Sequence, residues 1–265
     1  MNPLGVFDYP TLEITRGPAG PTPPIGGIGV QSGGMVVIPQ TLRYGLRFAG
    51  GDAGEQRLTL EPTRSGSRLT LEATVELPSA RFGEPRTRQR WESELDPAGY
   101  PRRYRERVEG REVRVMEVEF LREEGLVVLS QGKEDLAIPY LTELHDPLSL
   151  ILAVARLDLE PGGVRRYDMV GGRVYVERLA DQTLELPWGE TPTRVFRLRP
   201  GLSLLHYDAE GYPVRLTQKV GDHVFEAQLL QVQLQPEGRQ VPHPSGSPGT
   251  QVKPPQRQRQ RRRRR

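Results

Sequence analysis

The sequence predicts a mainly β protein: an antiparallel meander forming a curved sheet or unclosed barrel around one buried helix. Three observations lead there. Apolar and charged residues alternate with a period of two through most of residues 41–234, the pattern of strands with one face buried. A single stretch, residues 146–157, abandons that pattern for an almost unbroken apolar run behind Asp146 and Pro147. The phrase D-x-x-G-Y-P-x-R occurs twice, at 96–103 and 208–215, each time between alternating runs.

The elements follow in order. Residues 1–40 are crowded with Gly-Pro, Pro-Pro and Gly-Gly pairs, which forbid long regular structure, so they form an arm whose one short strand is expected at 35–38. From residue 41 the alternation starts: Leu42, Tyr44, Leu46 and Phe48 share one face. So do Leu58 and Leu60, and then Leu69, Leu71, Ala73, Val75 and Leu77. Residues 87–95 enter the first D-x-x-G-Y-P turn and 103–109 leave it. In both turns Asp bonds its own backbone and Gly accepts positive φ, while Pro suits the first residue of a strand. Residues 112–120 are expected to turn Val113 and Val115 inward, with Val118 and Phe120 as further inward candidates, and Glu123-Glu124-Gly125 reverses the chain into 126–129.

Asp146 at an N-cap with Pro147 at the first helical position opens a helix that reaches Leu157, and Pro161-Gly162-Gly163 closes it. Arg156 is its single charge, and a helix apolar on every side is buried on every side. Strands resume at 164–170 and 173–179 across Gly171-Gly172, then at 183–186, 193–199 and 202–207. The second D-x-x-G-Y-P turn leads into 214–220, a Gly221-Asp222 turn and 223–234. One domain therefore covers 41–235, and the two turns are hairpins of that domain. Residues 236–265, built from Pro, Gly, Ser, Gln and Arg, are expected to be disordered.

The net charge of +3 hides an asymmetry. From Gln240 onward there are eight cations and no carboxylate, which leaves −5 for everything before. Arg257, Arg259, Arg261, Arg262, Arg263, Arg264 and Arg265 form a tail suited to nucleic acid or an anionic membrane, bound in a salt-dependent way. No aromatic residue interrupts it, so base stacking is not indicated. The absence of cysteine excludes disulfides, thiolate metal sites and a cysteine nucleophile. No run approaches the roughly 20 apolar residues that span a bilayer. The first twenty residues lack a basic stretch followed by an apolar one, so the sequence as it stands is expected in the cytoplasm. A start further upstream would instead admit the periplasm or cell envelope.

The second half resembles a known family. D-P-L-S-L at 146–150, G-G-R-V-Y at 171–175, T-L-E-L-P-W-G at 183–189 and the closing D-x-x-G-Y-P-V-R at 208–215 are similar to the bacterial family called domain of unknown function 3108. That resemblance implies a curved antiparallel sheet around a helix, like the lipoprotein-carrier folds that hold acyl chains in a hollow.

The motifs of catalysis are missing. Ser149 lacks a G-x-S-x-G elbow, and no glycine loop between strand and helix would cradle phosphate. His145-Asp146 and Asp222-His223 are neighbours in sequence, yet adjacent strand side chains point to opposite faces. His206, Asp208 and Asp222 belong to strands and turns, and His243 to the tail. The reading is thus a non-enzymatic protein without cofactor or metal, whose hollow takes a lipid-like or apolar ligand. Leu148, Ile151, Leu152, Val154, Ala155 and Trp188 are the expected lining. The alternative is a scaffold with a solid core, tethered to nucleic acid or anionic membrane through the arginine tail.

Overall fold

The computed structural model describes residues 30–31, 34–35, 39–76, 86–110, 112–201, 203–220 and 223–234. A two-residue pair, β1 (Val30–Gln31) and β2 (Gly34–Met35), precedes the main body. The first half of that body is β3 (Gln40–Phe48), β4 (Gly51–Thr63), β5 (Gly66–Val75), β6 (Thr87–Leu95), β7 (Pro101–Glu109), β8 (Val113–Leu121), β9 (Leu126–Gln131) and β10 (Glu134–Pro139). Then come β11 (Leu144–His145) and the helix α1 (Pro147–Ala155). The second half is β12 (Val164–Met169), β13 (Gly172–Arg178), β14 (Gln182–Leu186), β15 (Gly189–Arg199), β16 (Ser203–Tyr207), β17 (Pro213–Val220) and β18 (His223–Leu234). Residues 36–38, Leu77, Asp222 and the whole arginine tail lie outside the described residues.

These strands make one sheet, in the order β10-β9-β8-β7-β6-β5-β4-β3-β18-β17-β16-β15-β13-β12-β11, with β14 paired only to β15. Pairing is antiparallel everywhere except between β11 and β12. Such a path cannot be flat. Fifteen strands at about 4.8 Å spacing would set its edges some 67 Å apart. The edge strands β10 and β11 are joined through Pro139 to Leu144, a segment that reaches at most about 18 Å when extended. The sheet must therefore curl until its edges nearly meet, which gives the unclosed barrel. Among the described residues no helix is long and apolar enough to cross a membrane.

The alternation read from the sequence sets the inner face. Leu42, Tyr44, Leu46, Leu58, Leu60, Leu69, Leu71, Ala73 and Val75 are all buried. On β8 the inner face is that of Val118 and Phe120, which are buried, whereas Val113 is 60% exposed. Val113 and Val118 are five residues apart, so a regular strand points them in opposite directions, and the register with Tyr104 on β7 puts Val118 inside. The strand that carries Leu58 and Leu60 begins as early as Gly51, and β10 was not anticipated.

Both D-x-x-G-Y-P turns close in the same way. Asp96 Oδ1 accepts from the Ala98 and Tyr100 amides at 2.9 Å, and the Asp96 amide donates to the Tyr100 carbonyl. In the second copy Asp208 Oδ1 accepts from the Tyr212 amide at 2.8 Å and the same backbone bond forms. Gly99 and Gly211 hold φ of +92° and +86°, which a side chain would resist. A register shift follows each turn at the strand carrying its proline.

Helix α1 sits inside the curl against β5 and β6. Leu148, Leu150, Leu152, Val154 and Ala155 are buried and divide between two packed clusters, one toward β3–β9 and one toward β12–β16. The helix ends at Ala155, short of the expected 157, with Arg156 as its C-cap.

Candidate functional site

The ends of α1 are fixed by residues distant in sequence. At its start Asp146 Oδ1 accepts from the Leu148 and Ser149 amides at 2.8 Å, and Ser149 Oγ accepts from the Asp146 amide at 2.9 Å, a reciprocal capping box. The other carboxylate oxygen accepts from Ser93 Oγ on β6. Burial lifts the Asp146 pKa to about 6, and the hydrogen bonds from Ser93 and the helix amides restrain that rise. At the other end Arg194 on β15 donates to the Ala155 and Leu157 carbonyls at 2.8 and 3.3 Å, and Tyr207 on β16 donates to the Ile151 carbonyl at 2.8 Å. The bond to Ala155 satisfies a carbonyl that the helix terminus leaves open, and Arg194 adds a cation where the dipole is negative. The helix therefore ties β6 in the first half of the sheet to β15 and β16 in the second.

His145, Asp146, Ser149 and Ser93 thus converge, the residue types a hydrolase uses. The geometry is that of a cap. Asp146 bonds the two serines and the helix amides, while His145 Nδ1 lies 3.3 Å from Ser149 Oγ. Ser93 and Ser149 are wholly buried. Burial, and next the nearby Arg122 charge, lower the His145 pKa to about 4. Its ring lies between Tyr100 and Tyr167, tilted to the first and edge-on to the second, with centroids 5.4 and 5.3 Å away. Arg122 completes this corner, bonded to Asp96 at 2.7 Å and lying over the Tyr100 ring. His206 Nε2 is 3.2 Å from Gln182 Oε1, and its pKa is also lowered to about 4, by burial first and then the Arg215 charge. Among the described residues no group of three or more His, Asp or Glu is placed to hold a metal ion.

Beside the helix the curled sheet encloses a hollow of about 230 Å³. Its wall draws on both halves of the sheet: Trp91, Val108 and Met116 on one side, Val174, Leu205 and Phe225 on the other. The helix contributes Asp146, Pro147, Leu150 and Ile151. Of the six residues expected to line a hollow, Ile151 faces it. Leu148 and Leu152 pack into the cluster under β3–β9, and Val154 and Ala155 into the cluster under β12–β16. Trp188 is 51% exposed at the β14–β15 turn, away from the hollow, because the pairing of Leu186 with Gly189 pushes it out at the hairpin tip. A larger cleft of about 420 Å³ opens at the same strands, lined by Arg43, Arg57, Glu72, Arg90 and Arg107 and sharing Gln56 and Gln89 with the hollow. Several of its cations pair with neighbouring carboxylates, as Arg90 does with Glu72 and Arg107 with Glu109, so it is a charged surface of the sheet.

The inner face grades from apolar to polar across the strands. Leu60, Leu69, Ser93, Tyr104 and Val118 form one cross-strand row, all buried, with Ser93 committed to the helix cap. The next row is Leu58, Leu71, Trp91, Glu106 and Met116. The third is Gln56, Ala73, Gln89, Val108 and Arg114. Glu106 lies between Arg105 and Arg107 in sequence, and alternation puts it on the other face, where it lines the hollow. Burial raises its pKa, opposed by the Tyr104 hydroxyl and by Arg114.

Fold and hollow together define a β-barrel-like protein with a helix-plugged, partly polar interior. No protein-family model matches the chain, and no curated protein matches it. Among solved structures it is similar to a beta-barrel-like protein of Domain of Unknown Function 1849 from Brucella abortus. The likeness has a TM-score of 0.52 at 13% identity and covers 75% of this chain and 98% of that one. At that identity the shared property is the fold.

Proposed function

We propose that the chain is a non-enzymatic binding protein that holds a lipid-like, apolar ligand in the hollow between α1 and the curled sheet. The observation that carries this is the hollow itself. Protein interiors pack to crystal-like density, and voids much larger than a water molecule are few. Here about 230 Å³ remains open, walled mainly by apolar side chains from both halves of the sheet and from the helix. Pockets for small ligands have that character, apolar walls with a few placed polar groups. The resemblance of the D-P-L-S helix start and its following hairpins to domain of unknown function 3108, with its acyl-carrier-like expectation, supports the same reading.

Titration with the neutral fluorescent probe N-phenylnaphthylamine tests it. The delipidated protein should enhance probe fluorescence saturably at near one-to-one stoichiometry. Ile151→Trp, which fills the hollow from the helix side, should weaken binding about ten-fold or more, roughly 1.4 kcal/mol. Trp188→Ala, remote from the hollow, should leave it unchanged. Absence of binding by the parent chain, or equal binding by Ile151→Trp, overturns the reading.

A further inference from the structure

The polar rows of the inner face say what kind of head such a ligand carries. Gln56 and Gln89 lie two strands apart with only Ala73 between them, so their amides flank a gap that a larger residue would fill. Neither side chain makes a hydrogen bond among the described residues, and both line the hollow. Together they present two carbonyl acceptors and two amino groups. Trp91 adds an indole N–H that is buried with no acceptor among the described residues, directly across the strand from Glu106. A buried donor without a partner is costly, so the Trp91 indole favours an occupant that supplies an acceptor.

Charge narrows the choice. Glu106 and Arg114 stand diagonally on β7 and β8, within reach of each other for long side chains, and both line the hollow. A carboxylate head placed here meets Glu106, and an ammonium head meets Arg114. A head without net charge avoids both conflicts. We propose that the ligand is an amphiphile with an uncharged amide-type head, carrying both an N–H donor and a carbonyl acceptor, seated among Gln56, Gln89 and Glu106 with its apolar tail directed toward α1. The proposal rests on the reading of the hollow as a ligand site and adds the chemistry and direction of the ligand. The tail end is marked by Leu150, Ile151, Val170 and Val174, which face the hollow without a polar atom in their side chains.

The test displaces N-phenylnaphthylamine from the delipidated full chain with decanamide, decanoate and decylamine, three ligands of one tail and different heads. Decanamide should displace the probe at a concentration about ten-fold lower than either charged competitor, a difference of roughly 1.4 kcal/mol. In the Gln56→Leu/Gln89→Leu double variant that advantage should shrink to about two-fold or less, while the probe itself still binds. A charged head that competes as well as the amide overturns the proposal. So does an amide advantage that survives the double variant unchanged. Probe binding without head discrimination removes this inference alone, whereas failure to bind the probe at all removes the hollow as a ligand site as well.

Discussion

His145 and His206 are both enclosed by the fold, and both lose most of their basicity on folding. An imidazole that takes its proton near pH 6.5 in the unfolded chain takes it only near 4 in the native one. The stability each contributes is whole above pH 6.5 and is lost as the pH falls toward 4. Asp146 acts in the opposite sense. With its pKa raised from 3.8 to about 6, it favours the folded state below 3.8, and that contribution disappears as the pH rises through 6. Glu106 and Asp208 are raised in the same direction. Because these groups oppose one another, a variant comparison isolates the histidine. Between pH 6.5 and 4.5, His206→Gln should lose about 2 kcal/mol less stability than the parent, read as the difference in urea-unfolding free energy at the two pH values. Parallel losses in the two proteins would show that His206 titrates normally in the fold.

At the scale of elements, the helix is held by a few long-range bonds rather than by its own propensity. Nine residues are too few for a helix stable alone in water. Ser93, Arg194 and Tyr207 anchor it from strands far away in sequence. Asp146→Ala removes the cap and leaves Ser93 Oγ buried without an acceptor. Its expected cost is about 2–4 kcal/mol in urea unfolding, whereas Asp146→Asn, which keeps an acceptor at the cap, should cost less than half as much. A loss below about 1 kcal/mol for Asp146→Ala would mean the cap does not hold the helix in place. The helix start was legible in the sequence because capping is local: Asp146, Pro147 and Ser149 lie within one turn. The strands were legible for a similar reason, since burial on one face imposes a period of two. On β8 the sequence offers Val113 and Val115 beside Val118 and Phe120, and because apolar residues occur on both of its sides only pairing with β7 decides which side is inner. Strand β10, with Glu134, Asp135, Leu136 and Ala137 all exposed, carries no such contrast.

For the molecule as a whole, the curl of the sheet decides where a site can exist. Residues as distant as Gln56, Glu106, Ile151 and Phe225 share one hollow only because the edges of the sheet approach each other through Pro139 to Leu144. No local pattern announces that neighbourhood. Trp188 attracted attention as an aromatic residue between Pro187 and Gly189, yet its hairpin tip points it to solvent. Trp91, the other tryptophan, does line the hollow, and Gln89 and Glu106, unremarkable as positions along two strands, form its polar wall with it once register is known. The helix residues chosen from sequence were apolar enough to line a hollow, but Ile151 alone among them reaches it, because a helix inside a curl meets protein on most of its sides.

The central claim is that the space beside α1 is a ligand site rather than a packing flaw. Native mass spectrometry of the full chain, purified without detergent or organic solvent, tests it most directly. The account predicts a population heavier than the polypeptide by the mass of a lipid-like molecule, which organic extraction removes and which Ile151→Trp fails to retain. A single species at the bare polypeptide mass, from parent and Ile151→Trp alike, would contradict it.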